Sequence, residues 1–308
     1  MHLRYFRSHI AYLSASLAVA SGLQPAGWCA AVVSRPENAS IVTRVQLSGL
    51  FVYPIKGCAG VSLERARVVE RGLELDRRYM LIDRSGRFVT QREVPRLCLV
   101  GTALVGSSIA LTAPGARPLM LPQGLDEAEN ARVACQVWHD SGSALCHDAG
   151  SRWFSDYLDD DVRLVYMPKS ERRPVNPKRA RPGDIVSFAD AYPVLLISEA
   201  SLADLNARLA APLEMRRFRP NLVLSECEPF AEDAFKTLSI AGVSFRAVKR
   251  CQRCVVTTVD PNTGQRGEEP LRTLAEYRRE EGRVWFGMNL IHDGPGELRV
   301  GDTALATT

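Results

Sequence analysis

From Val42 onward the chain falls into short β-type runs that recur about every 8–12 residues, and this rhythm constrains the fold more than any other feature. Val45, Leu47, Leu50, Val52 and Tyr53 read as a first strand that stops at Pro54. Further runs lie at Ala66–Glu70, Tyr79–Asp83, Arg87–Gln91, Leu97–Leu104, Ser108–Thr112, Arg117–Leu121 and Arg132–Val137. Turn chemistry separates them at Arg84-Ser85-Gly86, Ala113-Pro114-Gly115 and Ser141-Gly142. A helix fits Ser151–Leu158, with Trp153, Phe154, Tyr157 and Leu158 on one face, and a strand fits Val162–Tyr166. The second half predicts a strand at Val194–Ile197 and a helix Glu199–Leu209 behind a Ser198 cap. Strands follow at Asn221–Leu224, Leu238–Ile240, Val243–Lys249 and Arg253–Val259, then a tight turn at Asp260–Gly264. A short helix Leu271–Arg278 opens at Pro270, and strands at Val284–Phe286 and Glu297–Val300 close the chain. Neither βαβ alternation nor an internal repeat is visible. The expected class is mainly β with a few helices, built as antiparallel barrels and not as a doubly wound sheet.

Two stretches stand outside this rhythm. Pro168 to Pro182 is basic and holds four of the 18 prolines, so it reads as a linker or flap with no core element. Residues 1–43 read as a leader: Arg4, Arg7 and His9 precede a mildly apolar, Ser- and Ala-rich run that resembles a weak signal peptide and is too short to span a bilayer convincingly. Membrane contact is expected only through this leader, and a cytoplasmic location is the expectation in the absence of a twin arginine.

A net charge of +4 and a pI near 8.6, with no zinc-finger, basic-zipper or RNA-binding pattern, point away from nucleic acid. Arg172-Arg173 and Lys178-Arg179-Ala180-Arg181 read as solvated surface, or as a face for an acidic partner. Eight dispersed cysteines make no disulfide framework. No G-x-G-x-x-G, P-loop, G-x-S-x-G, H-E-x-x-H or ferredoxin spacing occurs, so electrons for any redox chemistry come from another protein.

The chemistry concentrates in Lys249-Arg250-Cys251-Gln252-Arg253-Cys254, where three cations surround two thiols. Adjacent positive charge favours the thiolate, the form that ligates a metal, and the same cations can hold a phosphate. One C-x-x-C pair is too few for structural zinc, and the β-type run after it argues against a thioredoxin-like dithiol. Two buried cysteines on a strand remain the bland alternative. Arg219-Pro220-Asn221 places a guanidinium and a carboxamide around a rigid proline. Tyr53-Pro54-Ile55-Lys56-Gly57-Cys58 offers an ammonium on a turn, and Asp76-Arg77-Arg78-Tyr79 sets paired arginines at a strand entrance. Each alone is compatible with an ordinary turn, strand start or surface salt bridge.

Together these segments fall in a familiar order. Tyr53-Pro-Ile-Lys-Gly, Asp76-Arg77, Gln91-Arg92 with Pro95-Arg96-Leu97, Ser198 to Asn206, Phe218-Arg-Pro-Asn221, Cys251-x-Arg-Cys254-x-x-Thr-Thr-Val-Asp-Pro-x-Thr-Gly264 and Phe286-Gly287 resemble the MOSC-domain molybdenum enzymes. Within these, the chain is similar to the mitochondrial amidoxime reducing components and the bacterial YcbX-like reductases. The resemblance implies a MOSC N-terminal β-domain over 44–167 and a MOSC β-barrel domain over 168–306, with a molybdenum cofactor between them. It implies that Cys254 ligates molybdenum. Gln252 and Arg253 would lie on the pterin side, Arg219 and Asn221 would bind phosphate and pterin, and Lys56 and Arg77 would add cations from the N-terminal domain. Gly57 stands where mitochondrial relatives carry Ser, and Ala191-Tyr192 replaces a Thr-Ser pair.

The implied activity is reduction of N-hydroxylated small molecules (amidoximes, hydroxylamines, hydroxylamino-purines, N-oxides), with electrons from a separate flavoprotein, iron–sulfur protein or cytochrome. The alternative is a sulfur-carrier or sulfurtransferase module with a persulfide on Cys254. The expected pyridoxal-phosphate desulfurase partner domain is not found upstream. A third possibility is a non-catalytic protein that keeps the cofactor pocket.

Overall fold

The computed structural model describes residues 41–308, and the leader expected over 1–43 lies almost entirely outside them. Its centre is a closed barrel of seven strands: β1 (Val42–Val52), β2 (Val194–Ser198), β3 (Leu222–Ser225), β4 (Thr237–Ile240), β5 (Val243–Gln252), β6 (Arg283–Asp293) and β7 (Thr303–Thr307). The ring runs β2-β3-β1-β7-β4-β5-β6 and closes by β6 pairing with β2. Only β2 and β3 are parallel; every other junction is antiparallel.

β1 shows how the sequence seals this ring. Val45 and Leu47 point inward, then Leu50 and Val52 do, so the alternation slips by one residue. The slip is a bulge between Leu47 and Gly49 opposite β3, which re-aims the strand without exposing its apolar set. Leu196, Leu222, Leu224, Leu238, Ile240, Phe245 and Leu290 complete the barrel core, with Ala304 and Ala306 as small fillers.

Around the barrel lies the remainder of the N-terminal half. Tyr79–Ile82, Arg163–Tyr166, Asp140–Cys146 and Arg132–Val137 form one antiparallel sheet, and Gly101–Val105, Ser108–Thr112 and Leu119–Pro122 another. Helix α1 (Asp148–Leu158) packs Phe154, Tyr157 and Leu158 into their shared core. Helix α2 (Glu199–Asn206) starts at the expected Ser198 cap, whose hydroxyl accepts from Ser201 N at 3.1 Å. Helix α3 (Leu271–Tyr277) follows Pro270. No described helix is long and apolar enough to cross a membrane.

Several expected elements differ. Val255–Thr258 is a single 3-10 turn and not a strand: the Thr257 and Thr258 hydroxyls donate back to the carbonyls of Cys254 and Val255 at 2.9 and 2.8 Å. Such local bonds compete with ladder pairing. Arg87–Gln91 makes only isolated bridges, because the Asp83 carboxylate accepts from Ser85 N and Arg87 N and curls the chain. Leu97–Leu104 divides into a 3-10 turn, Pro95–Leu99, and the strand Gly101–Val105. Ser141-Gly142 is no turn; it sits inside the strand Asp140–Cys146, whose polar composition hid it. The segment 168–182 carries no helix or strand, as expected, but it does enter the core: Val175 is buried with Val186, Ala189 and Ile291.

Candidate active site

All seven candidate residues line one cavity of about 330 Å³ where the barrel meets the N-terminal half. Lys56 follows β1 and Arg77 precedes the Tyr79–Ile82 strand. Arg219 and Asn221 lead into β3. Gln252 is the last residue of β5, and Arg253 and Cys254 come directly after it.

Tyr53 organises the inner wall. Its ring has the Arg77 guanidinium 4.3 Å and the Arg219 guanidinium 4.2 Å from its centroid. Burial pushes its phenol up to about 12, against the pull of both arginines, and its hydroxyl donates to Pro220 O at 3.1 Å. Both arginines have left-handed backbones, φ 46° at Arg77 and 56° at Arg219, an uncommon conformation found where surrounding structure enforces it. Asp76, almost fully buried, holds Arg77 at 2.7 Å and accepts from Tyr53 N at 2.9 Å; this is no surface salt bridge. Arg219 Nη1 donates to Cys58 O at 2.6 Å and has no carboxylate partner among the described residues. Burial, then Arg77, lowers its pKa, though a guanidinium keeps its charge.

Asn221 is fully buried and mostly committed. Its Oδ1 accepts from Leu195 N at 3.2 Å and from Arg77 Nη1 at 3.0 Å, and its Nδ2 donates to Phe51 O at 3.1 Å. The carboxamide therefore aims Arg77 and ties the end of β1 to the entrance of β3, with one N–H left to spare.

Lys56 lies buried with its Nζ on Phe188 O at 2.8 Å and Asp190 Oδ1 at 2.5 Å. Burial draws its pKa down to about 8, with Asp190 opposing. Burial alone would raise Asp190, but Lys56 and then Arg92 hold its carboxyl well below the usual range. The loop carrying Asp190 is fastened by Arg173, which is buried and donates to the carbonyls of Ser187, Ala189 and Asp190. Arg173 was expected on a solvated surface; it is instead the bolt of this wall.

The sulfur environment also departs from expectation. Arg250 borders the cavity, but its guanidinium is engaged by Glu280 and Asp233 and does not surround a thiol. Lys249 lines the cavity, 6.0 Å from the Trp285 ring centre. Arg253 Nη2 donates to Phe218 O at 3.1 Å, while its Nε is buried without a partner. The guanidinium that touches Cys254 comes from the other half of the chain: Arg92 Nη2 lies 3.3 Å from Sγ and 3.5 Å from Asp190 Oδ2. Gln91-Arg92 belongs to the motif pattern, yet no sequence signal assigns Arg92 a role. Burial pushes the Cys251 thiol up against the pull of Arg253, which disfavours the thiolate a metal needs. Among the described residues no three His, Cys, Asp or Glu side chains gather as a metal site.

Residues 44–161 match the MOSC N-terminal beta barrel domain and residues 183–304 match the MOSC domain. Mitochondrial amidoxime-reducing component 1 of Homo sapiens is 36% identical over 272 residues, 82% of this chain and 80% of that protein. The chain belongs to the amidoxime-reducing component family. Component 2 of Rattus norvegicus is 36% identical over 289 residues, covering 87% of this chain and 86% of that protein. Component 1 of Danio rerio is 38% identical over 250 residues, covering 77% and 76%. Coverage on this scale includes both halves of the cavity wall, so the family resemblance extends to the architecture that builds the site.

Proposed function

We propose that this amidoxime-reducing component homologue is a molybdenum-cofactor-dependent reductase of N-hydroxylated compounds, with Cys254 as the protein's ligand to the metal. The chain is an oxidoreductase by family. The observation that carries the finer reading is the donor set. Two half-buried thiols, Cys251 and Cys254, border a cavity rich in guanidinium groups, only Cys254 has a guanidinium on its sulfur, and no cluster of three His, Cys, Asp or Glu side chains gathers there among the described residues. A metal held here must bring most of its own ligands and a negatively charged handle, as a phosphorylated dithiolene cofactor does.

The residues fit that group. Arg219 and Arg253 are bound only to main-chain carbonyls, which leaves their charge for a phosphorylated ligand. Lys56 and Arg77 bring cations from the N-terminal half, each already paired with a carboxylate, Asp190 and Asp76, and Asn221 orients Arg77. Gln252, exposed at the end of β5, offers an amide at the rim. Gly57, at φ 91°, exposes backbone where a hydroxyl-bearing side chain would be strained. When bound, the cofactor supplies two-electron chemistry that removes oxygen from nitrogen: R–NHOH, two electrons and two protons give R–NH2 and water. The protein binds, orients and partly desolvates. Electrons come from a separate donor protein.

Protein from a cofactor-competent host is expected to carry about one molybdenum per chain and to reduce benzamidoxime with an artificial donor. Cys254→Ala is expected to abolish turnover. Wild-type-like turnover in that variant defeats the assignment, and a persulfide on Cys254 without molybdenum favours the sulfur-carrier alternative.

A further inference from the structure

One residue next to the site is unexplained by either barrel or cavity. The strands Arg132–Val137 and Asp140–Cys146 are joined by the two-residue loop Trp138-His139. Trp138 has φ 57°, the left-handed region, at the first loop position, where glycine fits without strain. Its side chain is not buried in compensation, since the residue is 43% exposed. A bulky aromatic in a strained and exposed position calls for a function.

Its contacts supply one. The Arg92 guanidinium carbon lies 4.7 Å from the indole centroid, and Phe88 braces the indole edge-on at 5.0 Å. The backbone of Arg92 is fixed separately: its N–H donates to Thr90 Oγ1 at 3.0 Å, and Arg266 donates to its carbonyl. The guanidinium head is held far less firmly. Its carboxylate contact, Asp190, is at 3.5 Å, the outer limit of a hydrogen bond, and the Asp190 side chain is half exposed. The indole of Trp138 offers the fork a flat aromatic contact that a guanidinium favours. The same guanidinium meets Cys254 Sγ at 3.3 Å.

We propose that Trp138 is a positioning residue: its indole holds the Arg92 guanidinium against the Cys254 sulfur and so fixes how that sulfur is presented to the cavity. The consequence for turnover rests on Cys254 being the metal ligand, as proposed above; the placement of the sulfur does not.

Trp138→Gly separates this role from a structural one. Glycine suits the left-handed loop position, so relief of backbone strain offsets the lost indole packing and the thermal midpoint of this variant should stay close to that of wild type. Its kcat for benzamidoxime, per molybdenum bound, should fall about tenfold with KM nearly unchanged, as expected when a group beside the reacting centre shifts. Trp138→Phe, which keeps a flat ring, should recover most of the loss. A second readout needs no cofactor. Iodoacetamide alkylation of Cys254 in the cofactor-free protein, at one fixed pH and followed by peptide mass spectrometry, reports access to the sulfur. Trp138→Gly and Arg92→Ala should both accelerate it several-fold, and the double variant should go no further. An unchanged alkylation rate in Trp138→Gly overturns the proposal, as does unchanged kcat in the molybdenum-loaded variant. If wild-type protein holds no molybdenum, the reductase reading fails while the alkylation comparison still decides the role of Trp138.

Discussion

Replacing Arg173 by alanine tests how the cavity wall is held. Its Nη1 donates to Ser187 O at 2.9 Å and Ala189 O at 2.6 Å, its Nη2 to Asp190 O at 3.1 Å, and its Nε to Asp140 at 2.8 Å. The Asp140 side chain is 48% exposed, so that ion pair contributes only about 0–1 kcal/mol. The carbonyl of Asp190 belongs to an exposed residue and can turn to water. Ser187 and Ala189 are buried, and each loses a bond from a charged donor, about 1.5–3 kcal/mol apiece. Allowing for partial relaxation, Arg173→Ala should lose about 3–5 kcal/mol. Arg173→Lys should recover part of this, because a single ammonium cannot reproduce the fork. Urea unfolding of the cofactor-free protein measures both. Arg179→Ala, exposed in the same basic segment, serves as the control and should leave the midpoint in place. A loss under about 1 kcal/mol in Arg173→Ala refutes the reasoning, since that is what a solvated surface arginine gives.

Two further outcomes follow from the same charges. Arg253→Ala should strip most of the molybdenum from the purified protein while Arg250→Ala leaves it near wild type, because only Arg253 lacks an acidic partner; metal analysis showing equal losses contradicts this. Lys56, drawn down by burial to about 8, should give up its proton as pH rises through that value, so the empty cavity should bind pyrophosphate more weakly at pH 9 than at pH 7. A bound anion restores the lysine's proton affinity, so calorimetry near pH 8 in buffers of different ionisation enthalpy should show proton uptake; none seen counts against a charged Lys56 in the site. Folding responds in the opposite sense: the native state disfavours the protonated form, so this burial cost is full below about pH 8 and lifts as pH climbs toward the unfolded value near 10.5.

Local chemistry was legible wherever it decided local structure. The Ser198 cap, the Pro270 helix start and the strand Arg132–Val137 are all where sequence placed them. The seven residues drawn from four separated segments also meet in one cavity. What escaped was whatever depends on which way a side chain leaves the backbone. Lys249, Arg250 and Arg253 adjoin the thiols in sequence and border the same cavity, but long side chains carry their charged heads to other partners, Phe218 O for Arg253. Irregular pairing near Arg250 in β5 adds to this, and its guanidinium ends on Glu280. Arg173 and Arg92 were invisible for the converse reason. Their partners are main-chain carbonyls and a sulfur far along the chain, and composition carries no trace of them.

The position of β1 explains why the site needs both halves of the chain. This strand closes the barrel between β3 and β7, and its last residues run alongside Asn221: Phe51 N donates to Asn221 O, and Asn221 Nδ2 returns a bond to Phe51 O. Tyr53, which receives Arg77 and Arg219 on its ring, comes two residues later, and Lys56 three after that. The segment that seals the barrel therefore also delivers the ring between the two arginines and the buried ammonium. A barrel without β1 would keep Cys254 and Arg253, yet its edge would be open beside Asn221 and its cavity would lack the cations of the N-terminal half. A ligand held by Lys56, Arg77 and Arg219 together would thus couple its binding to barrel closure through one strand, and it should stabilise the folded chain by RT ln(1 + c/Kd), rising with the logarithm of its concentration c.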